Sequence, residues 1–185
     1  DAETSGVVTV NAGITTLTGT MAEVQAAFDA DEGAGVTGLD GDEAVTASDT
    51  GSVAATSITG LDAATSGVVT VNAGITTLTG TLAQVQAAFD ANDGAGVTGL
   101  DDTEAVTISD TTVAAADLNA LNAETTGIIN AASVTTLTGS LSDVQTAYTA
   151  NDNSTISGLG NEAVTLSDTG SVVATLITTL AGDTS

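Results

Sequence analysis

The sequence predicts an α/β solenoid of about six stacked strand–helix coils, with a parallel sheet on one face. The first reason is an internal repeat, because the segment 6–49 recurs as 67–110 and, with small deletions, as 127–168. The second reason is that each repeat carries the signals of a strand and a helix twice. We therefore expect a single repeat array over residues 1–185, with units of approximately 1–61, 62–121 and 122–180. Each unit would hold two coils of about 30 residues, as in architectures that resemble leucine-rich repeats.

A triplet of alternating hydroxyl and apolar residues marks the central strand of each coil. Successive side chains of a strand face opposite sides. The apolar middle residue should therefore point into the core, and we expect the flanking hydroxyls to form a shared ladder over neighbouring coils. A shorter extended segment precedes each triplet. The six triplets are Thr16–Thr18, Thr46–Ser48, Thr77–Thr79, Thr107–Ser109, Thr136–Thr138 and Thr165–Ser167.

Helix signals follow the triplets and are clearest in the odd coils. There a Thr or Ser precedes an acidic or amide residue by three positions, which matches or approximates a capping box. Apolar residues then recur at i, i+3 and i+7, which is one helical face, and Gly33 and Gly94 supply stops. The even coils lack such caps, so we expect their helices to be shorter. The capping pairs are Thr20 with Glu23, Thr81 with Gln84, and Ser140 with Asp143.

The composition excludes whole classes of function. The chain has 24 Asp and Glu but no Lys, Arg, His or Cys, for a formal charge of −24. It therefore lacks an imidazole base, a thiolate nucleophile and a Schiff-base amine. It also lacks the cations that bind phosphate, so nucleic acid and anionic membrane surfaces are excluded as partners. A glycosidase with two carboxylates is not expected, because these acids recur with the repeat whereas a catalytic pair is unique. We predict that the chain is not an enzyme.

Apolar content argues for a packed core in spite of the charge. Apolar residues make up 42% of the chain and the mean hydropathy is +0.32, which is above the range of a solvated acidic tail. No apolar run approaches the roughly 20 residues that span a bilayer, so no membrane insertion is expected. The chain begins in the middle of the repeat pattern, and we interpret it as an internal segment of a longer protein.

Two segments of the repeat resemble known proteins. The segment Gly6–Thr20 reads Gly-Val-Val-Thr-Val-Asn-Ala-Gly-Ile-Thr-Thr-Leu-Thr-Gly-Thr, and Glu43–Thr50 reads Glu-Ala-Val-Thr-Ala-Ser-Asp-Thr. They resemble repeats of giant acidic cell-surface and secreted proteins of marine cyanobacteria, including a type associated with swimming motility. The resemblance covers the whole chain and implies a structural role at the cell surface or outside the cell. The Gly-Gly-x-Gly-x-Asp pattern of calcium-binding nonapeptide repeats is missing, which argues against a built-in calcium ladder.

Acidic clusters at the ends of the odd helices are the sharpest candidates for chemistry. Negative charge at a helix C-terminus is opposed by the helix dipole, and Ca²⁺ accepts irregular cages of oxygen ligands. The alternative is that these residues only keep an acidic surface solvated. Calcium is the only cofactor that the sequence suggests. The candidate ligands are Asp29, Asp31, Glu32, Asp90, Asn92, Asp93, Asn151 and Asp152, with Asn153 beside them.

Further acidic positions recur around the even triplets. One set precedes the triplets and would bring a carboxylate near the clusters of a neighbouring coil. Another set follows the Ser of each triplet, where we expect it to help start the next helix rather than to bind metal. The first set is Asp40, Asp42, Glu43, Asp101, Asp102, Glu104, Asn161 and Glu162, and the second is Asp49, Asp110 and Asp168.

Three functions are compatible with these observations. The first is a structural spacer or scaffold, in which each repeat binds its neighbours in the parent chain. The second is a calcium-binding adhesin or surface-layer segment, and the third, more remote, is an ice-binding face made of the Thr-x-Thr ladders. Strand edges on terminal coils also suggest end-to-end self-association.

Overall fold

The chain is an α/β solenoid of stacked strand–helix coils, as predicted. The computed structural model describes residues 6–11, 13–33 and 35–184, so the first five residues of the predicted first repeat lie outside the described part. The described residues form two compact units. The first unit holds the residues up to Thr76 together with Ala87–Asp101, and the second unit holds Thr77–Gln86 together with the residues from Asp102 onward. These two units do not coincide with the three sequence repeats.

Helices alternate between two lengths along the described part of the chain. The odd helices have 12 residues and the even ones have 10, as their capping signals predicted. Thr20 forms the complete capping box with Glu23, and Gly33 is the C-cap of the same helix. The residues Ala54, Ala114 and Val173 cap the even helices without a side-chain hydrogen bond. The helices are α1 Met21–Glu32, α2 Ala55–Ala64, α3 Leu82–Asp93, α4 Ala115–Glu124, α5 Leu141–Asp152 and α6 Ala174–Asp183.

Fourteen short strands accompany these helices within the described residues. They form four parallel sheets, so the sheet expected from the sequence is divided. The strands of the odd coils are β1 Val8–Thr9, β2 Thr16–Gly19, β6 Val69–Thr70, β7 Ile75–Gly80, β11 Ile129–Asn130 and β12 Thr136–Gly139. The strands of the even coils are β3 Val36–Thr37, β4 Ala44–Ala47, β5 Gly51–Ala54, β8 Val97–Thr98, β9 Ala105–Ile108, β10 Thr112–Ala114, β13 Ile156–Ser157 and β14 Ala163–Leu166.

The pairing register explains the division into several sheets. Leu17 lies opposite Val45, which is a step of 28 residues, and Val45 lies opposite Val69, which is a step of 24 residues. The two steps cover 52 residues, nine fewer than the 61 that separate Val8 from its repeat equivalent Val69. Nine residues is also the distance from Val8 to Leu17. A row of paired residues therefore moves from a triplet strand to a short strand once in each repeat.

This register also corrects the predicted hydroxyl ladder. In the first unit Thr18, Thr46, Thr70 and Thr98 form one column over β2, β4, β6 and β8. Thr16, however, lies opposite Ala44, so the triplets do not stack on one another. The predicted shared ladder is therefore confirmed only in part. Thr18 and Thr46 lie in one column, but Thr16 lies opposite an alanine because the strands pair two residues out of register with the triplets.

The apolar core is formed by one face of each helix and by the middle residues of the triplets. Ile58 and Leu61 of α2 are fully buried, and so are Leu118 and Leu121 of α4. The first buried position of these helices is Ala55 or Ala115, and the preceding Ala54 and Ala114 are the N-caps. The predicted middle residues Leu78, Ile108 and Leu137 are fully buried in the second unit.

Each odd helix receives a second cap from the coil that follows it in the chain. In the first unit the Asp49 carboxylate accepts a hydrogen bond from Met21 N–H at 2.6 Å. Carboxylates are favoured at helix N-termini because they accept from unpaired amides and complement the helix dipole. The expectation that these Asp residues start the next helix is therefore wrong, since they cap the preceding odd helix. The other two pairs are Asp110 with Leu82 N–H at 2.7 Å and Asp168 with Leu141 N–H at 2.6 Å.

We predict that replacing Asp110 by Ala opens the first turn of α3 alone. A lost N-cap costs about 0.5–2 kcal/mol, so the Leu82 amide should exchange its hydrogen roughly 2- to 30-fold faster. Hydrogen exchange followed by NMR measures this rate. The Met21 and Leu141 amides are internal controls because Asp49 and Asp168 still cap them, and unchanged protection of Leu82 would contradict the assignment.

Candidate functional site

The calcium candidates lie in the last turns of the odd helices and not beyond them. Helix α1 extends to Glu32, α3 to Asp93 and α5 to Asp152, and Asn153 is the C-cap of α5. Backbone geometry in these turns is regular, with Gly33 N–H donating to the Asp29 carbonyl and Gly94 N–H to the Asp90 carbonyl, both at 2.9 Å. The acidic side chains therefore lie within the helices, where the negative end of the helix dipole destabilises them.

One position of each cluster ties the helix end to the returning strand. Asn92 Oδ1 accepts from Leu100 N–H and Asn92 Nδ2 donates to the Leu100 carbonyl, both at 3.3 Å. The equivalent pairs, each eight residues apart, are Asp31 Oδ1 with Leu39 N–H at 3.3 Å and Asn151 Oδ1 with Leu159 N–H at 3.1 Å. These three candidates already have a structural role, which an Asn fulfils as well as an Asp.

The remaining candidates point mainly into solvent. Asp29 Oδ1 accepts from Gln25 Nε2 at 2.9 Å on the surface of α1. The side chains of Glu32, Asp90, Asp93 and Asp152 are exposed. These exposed carboxylates contribute charge without a shared partner.

One cleft of the first unit brings both acidic sets together. Asp31, Glu32 and Asp40 line it, and its volume is about 200 Å³. The positions equivalent to these three residues are Asn92, Asp93 and Asp101 in the second repeat and Asn151, Asp152 and Gly160 in the third.

Carboxylates do not form a calcium cage in the part of the chain that the structure describes. No group of three or more acidic residues there is placed so that it could hold a metal ion. The number of acids at the cleft positions also falls from three to two to one over the repeats. Since Ca²⁺ takes six to eight oxygen ligands, the candidate residues do not fit a calcium ladder that is repeated along the array.

A buried glutamate recurs in the even coils, and sequence reasoning missed its role. Glu43, Glu104 and Glu162 are at most 4% exposed. In the first unit Glu43 accepts from Asp40 N–H at 2.8 Å through Oε1 and from Gly41 N–H at 3.0 Å through Oε2. Both carboxylate oxygens therefore hold the turn that precedes the strand β4. The signal was available, because Glu precedes Ala-Val-Thr in all three repeats while the neighbouring acids vary.

In the last coil this glutamate is paired with the single tyrosine of the chain. Tyr148 stands where the other repeats have Phe28 and Phe89, and all three are buried. Its phenol donates to Glu162 Oε2 at 3.1 Å, and Gly160 N–H donates to the same oxygen at 2.8 Å. Burial, reinforced by the negative charge of Glu162, raises the pKa of the Tyr148 phenol. The pair therefore keeps its proton on the phenol and acts as a structural hydrogen bond.

Comparison of the chain with protein-family models, curated proteins and solved structures finds no match. Among the described residues, none of the helices has the length and apolar character needed to cross a membrane.

We predict that Asn92→Ala lowers the free energy of unfolding by about 1–2 kcal/mol, because it removes both hydrogen bonds to Leu100. The neighbouring exposed Asp93→Ala is the matched control. It should change stability by less than about 0.5 kcal/mol, or raise it slightly by removing charge from a helix C-terminus. Urea denaturation with EDTA and with Ca²⁺ measures both variants. Equal losses that occur only in Ca²⁺ would instead make both residues metal ligands.

We also predict an alkaline transition that depends on Tyr148. The chain has no Lys, Arg, His or Cys and a single Tyr, so Tyr148 is the one side chain of a type whose ordinary pKa lies between about 6 and 12. Because its pKa is raised in the folded state, its contribution to stability is intact below the unfolded pKa of about 10 and is lost as pH rises further. Urea midpoints should therefore decline above about pH 10 in the parent chain but not in Tyr148→Phe. Phenolate absorbance that appears near pH 10 while the circular dichroism stays native would contradict this.

Proposed function

We propose that the chain is a structural repeat segment, a spacer or scaffold, of a large extracellular or cell-surface protein. The observation that supports this proposal most directly is the use of its recurring polar residues. Asp49 and its equivalents cap a helix of the preceding coil, Asn92 and its equivalents hold a helix end to a strand, and Glu43 binds the turn before its strand. These recurring Asp, Asn and Glu side chains, which are of types that can bind a metal ion or transfer a proton, thus hold the backbone in place.

The mechanism of such a segment is mechanical. Each coil buries its apolar face against the next, so stability comes from contacts between neighbours and length comes from the number of coils. The formal charge of −24 repels parallel copies and limits lateral association. Screening lengths are about 8 Å at physiological ionic strength and about 3 Å at 1 M, so a saline exterior would reduce the self-repulsion.

Resemblance supports the proposed location. The chain contains no Cys, which by itself leaves the compartment open. The repeat segments Gly6–Thr20 and Glu43–Thr50 are those that resemble cyanobacterial surface proteins.

A calcium-binding adhesin or surface-layer segment is the second candidate. The cleft of Asp31, Glu32 and Asp40 concentrates acids in the first repeat, but these acids are not grouped closely enough to hold a metal ion by themselves, and the later repeats lose them. The ice-binding alternative has less support, because the hydroxyls form single columns in place of paired rows.

The experiment that separates the first two candidates is thermal unfolding followed by circular dichroism in EDTA, in millimolar Ca²⁺ and in NaCl of matched ionic strength. We expect EDTA to leave the Tm unchanged and Ca²⁺ and NaCl to raise it equally, because both only screen charge. The matched variant is Glu32→Gln, which should behave as the parent chain does. A Tm raised by Ca²⁺ alone, and no longer raised in Glu32→Gln, would overturn the spacer proposal in favour of the calcium-binding one.

A further inference from the structure

One tripeptide of the third repeat differs in kind from its counterparts. The second repeat has Gly-Ala-Gly at residues 94–96 and the first has Gly-Ala-Gly at residues 33–35, whereas the equivalent residues of the third repeat are Asn153, Ser154 and Thr155. An Asn that is followed by any residue except Pro, and then by Ser or Thr, is the acceptor pattern for asparagine-linked sugars. None of the other Asn residues in the sequence has a Ser or Thr two positions later. The pattern therefore occurs once in this chain.

The acceptor tripeptide lies on the surface at the end of helix α5. Asn153 is the C-cap of this helix, and all three residues of the tripeptide are exposed. Their backbone N–H groups donate to carbonyl groups in the last turn of the helix, at 3.0 Å each. The Thr155 hydroxyl donates to the Ala150 carbonyl at 3.2 Å. The backbone and the Thr155 hydroxyl thus close the turn without the side chain of Asn153.

The side-chain amide of Asn153 is not used by the fold, although most other Asn side chains are. Six of them form hydrogen bonds to backbone groups, either within a turn or between elements. Asn153 differs from these, because its side chain has no hydrogen-bond partner among the residues that the structure describes. Its amide nitrogen is therefore available for a reaction that does not disturb the packing. The Asn side chains with structural roles are Asn11, Asn72, Asn92, Asn119, Asn130 and Asn151.

The position of Asn153 is open in the packing of the coils. A Cβ added to either of its equivalents, Gly33 or Gly94, would have its closest contact at 3.2 Å, with a backbone carbonyl of its own helix, and no described residue of a neighbouring coil lies within 4 Å. Gly96 is equivalent to Thr155 and is more confined, since a Cβ there would overlap Asp62 Oδ1 and force that side chain to move. The third repeat thus carries the complete pattern at a place where a bulky group fits.

We propose that Asn153 is the acceptor site for an asparagine-linked sugar. In the transfer, the side-chain amide nitrogen of Asn153 forms a bond to the anomeric carbon of an activated sugar. The bond from that carbon to a pyrophosphate group breaks, and the amide nitrogen gives up one proton to a base of the transferase. The donor is therefore a sugar pyrophosphate, which is carried either by a lipid or by a nucleotide.

A sugar at this place deepens the structural function proposed above, and the inference rests on the extracellular location in that proposal. Sugars attached to Asn are bulky, strongly hydrated and confined to the surface. Repulsion between the carboxylates of two arrays reaches only about 3 Å at 1 M salt, so charge alone keeps arrays apart poorly in a saline exterior. A sugar on an exposed helix end would keep them apart sterically at any ionic strength. It would also leave the formal charge of −24 unchanged, because it replaces a proton on a neutral amide.

The test measures the mass of the full chain and of its Asn153 peptide under two conditions. In the first, yeast secretes the chain behind a signal peptide, with and without tunicamycin, which blocks the synthesis of lipid-linked sugars. In the second, the purified chain is incubated with a soluble asparagine glycosyltransferase and a nucleotide-linked hexose. We expect sugar on Asn153 in at least one arm, and the arm identifies the carrier of the donor. An Asn153 that stays unmodified in both arms would overturn the proposal.

Variants then assign the site. Thr155→Ala removes the hydroxyl of the pattern but keeps Asn153, so it should abolish the modification, whereas Thr155→Ser should still be modified. Asn153→Gln should also abolish it, and this variant replaces Thr155→Ala if circular dichroism shows that the latter loses the fold. The matched control is Asn161→Gln, which changes an exposed Asn outside the pattern and should be modified as the parent chain is. Sugar that persists in Asn153→Gln would lie elsewhere and would contradict the assignment.

The outcome of this experiment can be told apart from that of the calcium experiment. An Asn153 without sugar in both arms leaves the spacer function standing, because that function depends on how the coils stack. A Tm that only Ca²⁺ raises would overturn the spacer function, and the mass of the Asn153 peptide would still decide whether the sugar is attached.

Discussion

Stacking against a neighbour is the constraint on which every coil depends. A coil contributes about two short strands and one helix, which is too little to enclose its own apolar residues. Leu137 illustrates this, since it is fully buried and lies between Val113 of one neighbouring coil and Val164 of the other.

The absence of cations shapes how the polar groups are satisfied. A buried carboxylate is costly unless it is paired, and this chain has no Lys, Arg or His side chain to pair with. Backbone amides and hydroxyl groups take that place instead. Glu43 binds two amides of a turn, Asp49 binds a helix amide, and Glu162 binds a phenol together with an amide. The acidic composition is thus partly built into the fold as a set of acceptors for N–H and O–H donors.

These acceptors also connect elements that are distant in sequence. Asp49 and Met21 are 28 residues apart, and Asn92 and Leu100 are eight apart. Each bond links a helix end either to the next coil or to the strand that returns from the helix. The polar and the apolar contacts therefore both stabilise the packing of one coil on another. The structural function proposed above accounts for why both kinds of contact recur in each repeat.

Much of the fold could be read from the sequence because its signals are local. The capping box of Thr20 and Glu23, the stop at Gly33 and the apolar middle residues of the triplets lie within a few positions of the elements they define. The repeat itself predicted the solenoid, and the lack of basic residues predicted that nucleic acid is not a partner. These properties are determined by residue type and short-range spacing alone.

The tertiary structure decided what depends on register. Paired strands are separated by steps of 28 and 24 residues, which divide the expected sheet and place Thr16 opposite Ala44. The same packing brings Asp49 to the N-terminus of the preceding helix α1. In the same packing, Asp31 and its Asn counterparts form hydrogen bonds to the backbone. The carboxylates of the described residues are not grouped around one point where a metal ion could bind. The sequence marks where acids occur, but only the stacking of coils decides which amide each carboxylate meets, because those distances are set by strand pairing and not by position along the chain.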